Sequence, residues 1–482
     1  MREPGAVLLV SCYELGHQPL AVAWAAAFLE ARGYAPAVMD VSVEPFDPDK
    51  VARARVVVVS VPMHTALRVG VALIGRVRAL NPACHVAAYG LYAQLNAEYL
   101  LAHGVDSVIG GEAEAPLVAL VEMLEAGTGQ PVPGVWTAAG PAAPHLARLG
   151  FPLPSRAGLP SFKQYARLER DGRHELVGYV EASRGCKHLC RHCPIPPVYG
   201  GRFFVVPPDV VLADIRQCVE AGVTHVTFGD PDFLNGPRHA LAVTRALHAA
   251  FPHVSFDVTA KVEHLLRHRA MLPELRALGC AFVVSAVESL SDTVLAHLDK
   301  GHTRADVVAL VRLMRETGVA LRPTWVAFTP WTTLDDYRAM LDFVDGEDLV
   351  DAVDPVQYSL RLLVPPGSLL AGHSPLHPHL GPLVEGTFSH AWIHPDPRMD
   401  ALQAKVARVV EAAAEAHEDE AATFDRVRAL ADATAGAPAR YLPAERALPD
   451  RARPPRLTEP WFCCAEPTED QLDPLRPAET RF

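Results

Sequence analysis

The feature that most constrains this chain is a run of three cysteines just downstream of a strand signal: Glu181-Ala182-Ser183-Arg184-Gly185-Cys186-Lys187-His188-Leu189-Cys190-Arg191-His192-Cys193. The C-x3-C-x2-C spacing puts three thiols on one short loop. Soft thiolate ligands select iron–sulfur clusters or zinc. Three of them hold three irons of a four-iron cluster and leave the fourth iron open. A closed zinc site asks for a fourth Cys or His, usually in two paired C-x2-C halves. His188 and His192 stand near enough in sequence to supply one, so spacing alone leaves zinc open, and buried unligated thiols are the bland third reading. Whatever the fold, it must deliver this loop from a buried strand, Tyr179-Val180-Glu181-Ala182-Ser183, with Arg184-Gly185 turning out of it.

A chain of 482 residues is too long for one ordinary domain and implies two or three. Half of the residues are hydrophobic, enough for sizeable cores. The net charge of -12 argues against nucleic acid as a main partner, because a phosphate backbone favours a basic face. No apolar run reaches the roughly 18 residues of a membrane span. Met1-Arg2-Glu3-Pro4-Gly5 runs straight into a strand and lacks the sections of a secretory signal. Nine cysteines, three of them clustered, fit a reducing cytoplasm better than a disulfide framework, so a cytoplasmic location is expected.

Residues 1–125 alternate strand and helix signals. Ala6–Val10, Ala37–Met39, Arg55–Ser60, His85–Tyr89 and Ser107–Gly110 read as five strands of an α/β, doubly wound parallel sheet. Ligands of such sheets bind at the carboxyl ends of the strands. Those ends carry Ser11-Cys12-Tyr13, Ser60-Val61-Pro62-Met63, Tyr89-Gly90-Leu91 and Gly110-Gly111-Glu112. Residues 126–160, rich in Gly, Pro and Ala, read as a linker over the surface. A second α/β domain is expected over 161–370. The last part, 371–482, holds a helical zone near Met399–Ala433 and a proline-rich end that by itself reads as extended or disordered.

The strand, the Arg184-Gly185 turn and the cysteine triplet resemble the radical S-adenosylmethionine (SAM) superfamily, over residues 175–370. The resemblance implies a [4Fe-4S] cluster on Cys186, Cys190 and Cys193, with SAM on the open iron. His192 stands where the family usually has an aromatic residue at the adenine pocket. Six strand units imply a partial (β/α)6, TIM-like barrel with its chemistry at the carboxyl-end mouth. Gly229-Asp230-Pro231-Asp232 matches the short Gly/acid segment that receives the SAM ammonium group, Asp230 first and Asp232 as the alternative. Glu288-Ser289 ends a strand like the one that meets the SAM ribose, since a glutamate buried after apolar residues needs partners. Lys261 at a strand mouth is a candidate for the SAM carboxylate or a substrate acid, and a solvated lysine is the plain alternative. Lys300-Gly301-His302-Thr303 matches a K-G-x-T turn whose duty is capping or reaching SAM.

Residues 1–125 are similar to the Rossmann-type cobalamin-binding domain that precedes many radical SAM domains, above all at Val108–Pro116. The D-x-H-x-x-G motif is missing, and Gly16-His17-Gln18 stands nearby without its aspartate. Bound cobalamin and an empty scaffold of the same fold both stay open. The end, Trp461-Phe462-Cys463-Cys464-Ala465-Glu466-Pro467, resembles the radical SAM group with a C-C-A-E-P or selenocysteine-containing C-U-A-E-P tail. Trp461 and Phe462 ahead of the thiols predict that this end docks on the body at the barrel mouth, with plain hydrophobic anchoring as the bland reading. The resemblance implies that Cys463 and Cys464 act there as redox groups or soft ligands, for example toward trivalent arsenic. The expected function is SAM cleavage that starts radical chemistry on a small molecule, with carbon–heteroatom bond formation on arsenic or selenium as one candidate. A flavodoxin- or ferredoxin-type donor would supply the electron. The alternatives are a cobalamin-dependent radical methyltransferase and, outside enzymes, a cluster-carrying or metal-sensing binding protein.

Overall fold

The computed structural model describes residues 1–441, 451, 453–459 and 465. Cys463 and Cys464 lie outside the described residues.

The N-terminal sheet contains β1 (Val7–Ser11), β2 (Ala37–Asp40), β3 (Val56–Ser60), β4 (His85–Tyr89), β5 (Ser107–Ile109) and β6 (Val135–Thr137), in the order β2-β1-β3-β4-β5-β6. The first five are parallel. Runs such as Val56–Val59 are buried on both sides, as parallel strands covered by helices on both faces must be. The strand order turns around between β1 and β3, which opens the crevice of such sheets beyond Ser11 and Ser60. The sixth strand corrects the expectation of a linker over 126–160. Val135-Trp136-Thr137 pairs antiparallel with β5, and His145 bridges Gly111. Three β-formers among glycines and prolines show no periodicity, so only the free edge of β5 reveals them as a strand.

The second sheet is a curled half-barrel. It is entered through the hairpin β7 (Arg167–Arg170) and β8 (Arg173–Val180). The cluster loop is framed by β9 (Ser183–Gly185) and β10 (Phe203–Val205), which pair antiparallel. Then follow β11 (His225–Phe228), β12 (Ser255–Thr259), β13 (Cys280–Glu288) and β14 (Ala320–Trp325), all parallel to β8. The sixth strand unit, expected over Val356–Leu363, is reduced. Pro355–Tyr358 forms a 3-10 turn, and only Arg361 bridges Phe328 in parallel. The physical reason is local: the side-chain Oε1 of Gln357 accepts the Trp325 N–H at 2.9 Å, where a sixth strand would present a backbone carbonyl.

Beyond the barrel come a hairpin, β15 (Leu380–Val384) with β16 (Ser389–Trp392), and the helices Pro397–Glu415 and Glu420–Thr434. The chain then returns, and β17 (Arg456–Leu457) pairs antiparallel with β7 at the far edge of the half-barrel. No helix among the described residues is long and apolar enough to cross a membrane.

The two sheets share packing. Leu20, Ala23 and Trp24, from the helix Leu20–Glu30, belong to the barrel's core. The His17 ring stacks on Tyr179 with centroids 4.4 Å apart. Burial, opposed by Asp257 and reinforced by His225, lowers its imidazole from 6.5 to about 4. The unfolded chain therefore takes up this proton first, and the stability present above 6.5 drains away as pH falls toward 4. The linked loss is on the order of 3 kcal/mol across that window. His17→Phe keeps the stacked ring and should flatten this part of the profile. Urea midpoints of the two proteins that fall in parallel with pH would count against the assignment.

Candidate active site

Gly185 makes the turn into the cysteine loop. Its φ is +73°, and a Cβ there would stand 2.4 Å from the Arg202 carbonyl oxygen, so a side chain is excluded twice over. Cys186 and Cys190 are buried, and Cys193 is half-buried with its N–H donating to the Cys190 carbonyl at 3.2 Å. Burial, with the charges of Cys190 and Cys186 adding to it against the Ile195 N–H, pushes the Cys193 thiol up to about 12. As thiolates the three would repel one another in a dry site, so the arrangement suits a positively charged group that deprotonates them. Asn235 closes the loop from one side. Its Oδ1 accepts the Lys187 N–H at 3.2 Å and lies 3.9 Å from the Cys186 sulfur, while its Nδ2 is buried with no partner. The Nδ1 of His192 is likewise buried and unpartnered. An orphaned amide N–H and an orphaned ring nitrogen beside three thiols fit a bound cluster with ligand around it. The three sulfurs do not fall in the group of ligand atoms lying within 4.8 Å of one another, and His188 and His192 point to other partners, so the residues suit a cluster better than a single zinc ion.

The expected SAM residues fall into two bonded groups, which approach each other where Glu263 and Lys261 reach Gly301. On one side, Glu288 ends β13 with φ +66°, a left-handed conformation for a residue with a side chain. Its Oε1 accepts from Lys300 Nζ and from His192 Nε2, each at 3.2 Å. Burial by itself would raise this carboxyl, but the Lys300 charge and the His192 contact outweigh it and hold it at about 2. Lys300 is raised in turn: burial opposes its charge, but Glu288 and the nearby Cys190 and Cys193 favour it. Ser289 is buried next in line, its Oγ accepting the Ser291 N–H at 3.1 Å. On the other side lie Asp232 and Lys261. Asp232 groups with His188 and His264, and Lys261 Nζ stands 3.7 Å from Glu263.

Asp230 sits beneath the loop. One carboxylate oxygen accepts the Ala182 N–H at 2.8 Å and the other accepts the Ser183 hydroxyl. Burial raises its pKa to about 7 against those two bonds. Both oxygens thus brace the strand that carries the cysteines. Gly229, just before it, allows the Tyr179 ring to approach, since a Cβ would stand 2.4 Å from that ring.

Arg184 ties the loop to the N-terminal sheet. It meets Glu114 and Glu181 at 2.7 Å and Glu112 at 3.4 Å, with the Trp24 and Phe151 rings against its guanidinium. The sequence showed Glu112 and Glu114 at a strand end but gave no sign that their partner was the residue two before Cys186. Asn235 and His264 were missed for the same reason: a single Asn or His in a turn or short helix carries no pattern.

The strand ends of the N-terminal sheet face this region and are engaged by the chain itself. Asp40 accepts from Tyr165 at 2.8 Å, and Glu112 from Tyr199 at 2.9 Å. Tyr13 donates to Glu459 at 3.1 Å, and Thr65 donates to the Ala465 carbonyl at 2.9 Å. Ser11, Ser60, Tyr89 and Glu112 are all buried. Between these buried groups, Pro62, Met63, Gly90, Leu91 and Gly111 at the same ends are half-buried. A cavity of about 460 Å³ lies between Leu360–Leu363, Trp392, Gln403 and Ala465.

Residues 180–343 match the family model of the Radical SAM superfamily. The tRNA-2-methylthio-N(6)-dimethylallyladenosine synthase of Pseudoalteromonas atlantica is 24% identical over 204 residues, covering 39% of this chain and 42% of that one. The ribosomal protein uS12 methylthiotransferase RimO of Geobacter sulfurreducens is 24% identical over 189 residues, covering 35% and 40%. The chain thus spans less than half the length of these two curated relatives. Solved structures share the fold across both domains. The cobalamin-dependent SAM radical enzyme OxsB, with aqua-cobalamin and SAM bound, has a TM-score of 0.66 at 14% identity, covering 85% of this chain and 68% of that one. The radical SAM methyltransferase TsrM from Kitasatospora setae, with tryptophan and a SAM analogue bound, has a TM-score of 0.65 at 18% identity, covering 84% and 89%. The chain thus carries a radical SAM domain over residues 180–343, set behind an N-terminal domain whose fold it shares with these cobalamin-dependent and methyltransferase structures.

Proposed function

We propose that this enzyme cleaves SAM reductively and starts radical chemistry on a small molecule. The observation that carries the reading is the pairing of a buried three-thiol loop with the Glu288–Lys300–His192 group at one mouth. When bound, the cluster supplies the electron that breaks a carbon–sulfur bond of SAM, and a flavodoxin- or ferredoxin-type protein would restore that electron. Cys186, Cys190 and Cys193 hold the irons. Glu288 is ionised at any working pH and accepts hydrogen bonds from ligand hydroxyls through Oε2, since Oε1 is taken. Lys300 keeps a positive charge beside Cys190 and Cys193, which favours their thiolate forms. Gly229 and Ser289 line the same strand ends, and Asp230 holds the loop in register.

The test is anaerobic reconstitution with SAM and a chemical reductant. The expected products are 5′-deoxyadenosine and methionine; SAM recovered uncleaved by protein that holds a full cluster would overturn the reading. Losing one charge-assisted contact costs about 1.5–3 kcal/mol, so Glu288→Gln should weaken SAM binding about 10- to 150-fold while sulfide content stays the same. Unchanged affinity would remove Glu288 from the SAM site.

Cys463 and Cys464 are proposed to act at this mouth, on a substrate with a thiophilic atom such as arsenic or selenium. Support comes from Ala465, the residue after Cys464, which is buried, bonded to Thr65 and set in the wall of the 460 Å³ cavity. A second reading, cobalamin-dependent radical methylation, is favoured by the fold shared with OxsB and TsrM. It requires the contacts of Glu459 and Ala465 at the strand ends to open, and a corrinoid absorption spectrum of the purified protein would establish it.

A further inference from the structure

Three side chains outside the cluster ligands converge on its other flank. His188 stands between Cys186 and Cys190, Asp232 follows β11, and His264 lies in the short helix Val262–Arg267. One ligand atom from each falls within 4.8 Å of the other two. His264 Nδ1 is 2.7 Å from Asp232 Oδ2, the two Nε2 atoms are 3.1 Å apart, and His188 Nε2 is 3.7 Å from Asp232 Oδ2.

A hydrogen-bonded His–Asp pair is the plain explanation, and the geometry speaks against it. Asp232 and His264 side chains are 1% and 7% exposed, so water does not serve them. Yet Asp232 Oδ2 and His264 Nδ1 are both buried without a hydrogen-bond partner, although they lie 2.7 Å apart. The ring N–H is not aimed at the oxygen. Two lone-pair atoms this close repel unless a cation lies between them. With one ligand atom from each residue inside 4.8 Å of the other two, small side-chain rotations let a single cation at metal–ligand distances of about 2.0–2.2 Å reach all three. On the far side of His188, its Nδ1 lies 3.9 Å from Glu263 Oε2, so a carboxylate stands on the imidazole's other side.

We propose that His188, Asp232 and His264 form a mononuclear site for a divalent first-row cation, zinc or ferrous iron, beside the cluster and separate from its thiolates. Two imidazoles and one carboxylate suit these borderline ions better than magnesium or calcium, which prefer oxygen. Three protein ligands leave a coordination position open for water or a substrate oxygen. The site does not depend on SAM cleavage, and its failure would leave the cluster reading untouched.

The test uses untagged full-length protein in which Cys186, Cys190 and Cys193 are replaced by alanine, titrated with cobalt(II) as a spectroscopic substitute for zinc. One cobalt per chain should bind with visible d–d bands and no thiolate charge-transfer band. Adding His264→Ala or Asp232→Asn should abolish the d–d bands. A protein with the parent's far-UV circular dichroism that shows no such bands, shows only thiolate bands, or keeps the d–d bands in both variants would overturn the site. Should the triple variant not fold, the cluster-loaded protein serves instead. There the ratio of total iron plus zinc to acid-labile sulfide should fall by about one metal per four sulfides, the sulfide of one cluster, in His264→Ala and in Asp232→Asn. An unchanged ratio would overturn the site as well.

Discussion

A chain with Cys186, Cys190 and Cys193 all replaced by alanine should contain no acid-labile sulfide and should leave SAM uncleaved under reducing conditions. Each thiol lies on one loop braced by Asp230 from below and by Asn235 from the side. Removing the sulfurs leaves those braces in place. The loop should therefore keep its backbone and lose its cluster, which separates loss of ligand from loss of fold. Far-UV circular dichroism matching the parent, with sulfide at background, is the expected pair of results. Sulfide retained at the parent's stoichiometry would place the cluster elsewhere in the chain.

Arg184→Met should be the most destabilising single substitution at this site. Arg184 is the cation among Glu112, Glu114 and Glu181, with its side chain 12% exposed. Burial already raises Glu112 to about 7, against the pull of Arg184. Without the guanidinium, three carboxylates share one dry space, and breaking a buried pair on one side costs about 3–5 kcal/mol. That corresponds to a fall in melting temperature of roughly 6–20 °C for domains of this size. Arg184→Lys keeps a charge but loses the fork that serves several carboxylates, so it should fall between the parent and Arg184→Met. A melting temperature for Arg184→Met within a degree or two of the parent would show that the carboxylates are protonated and that the arginine contributes little.

Much of the architecture was legible because period and spacing are local. Valine runs bounded by helical stretches named the strands β1, β3 and β4, and the same alternation resumed from His225 to Trp325. Where local signal failed, a distant partner made the decision. Val135–Thr137 became a strand because β5 offered a free edge. Val356–Leu363 lost most of its strand because the Gln357 side chain took the place of a backbone acceptor. Asp230 and Asp232 are two residues apart in one turn and look interchangeable, yet one braces the cysteine strand and the other joins His188 and His264. Which partner each acid meets is set by the packing around the turn, and no composition rule encodes that.

By itself the sequence determined what chemistry the chain could hold. Three thiols at C-x3-C-x2-C spacing, a glycine with no room for a Cβ and acids after strand signals are facts of covalent order, and their ligand preferences follow from the atoms involved. Only the tertiary structure decided which groups meet. Glu288 finds Lys300 twelve residues on, but His192 ninety-six residues back; Arg184 reaches Glu112 across the domain boundary; and Thr65 holds Ala465 from 400 residues away. Contacts at such separations come from how the two sheets pack, and their charges are strong because that packing removes the water that would screen them.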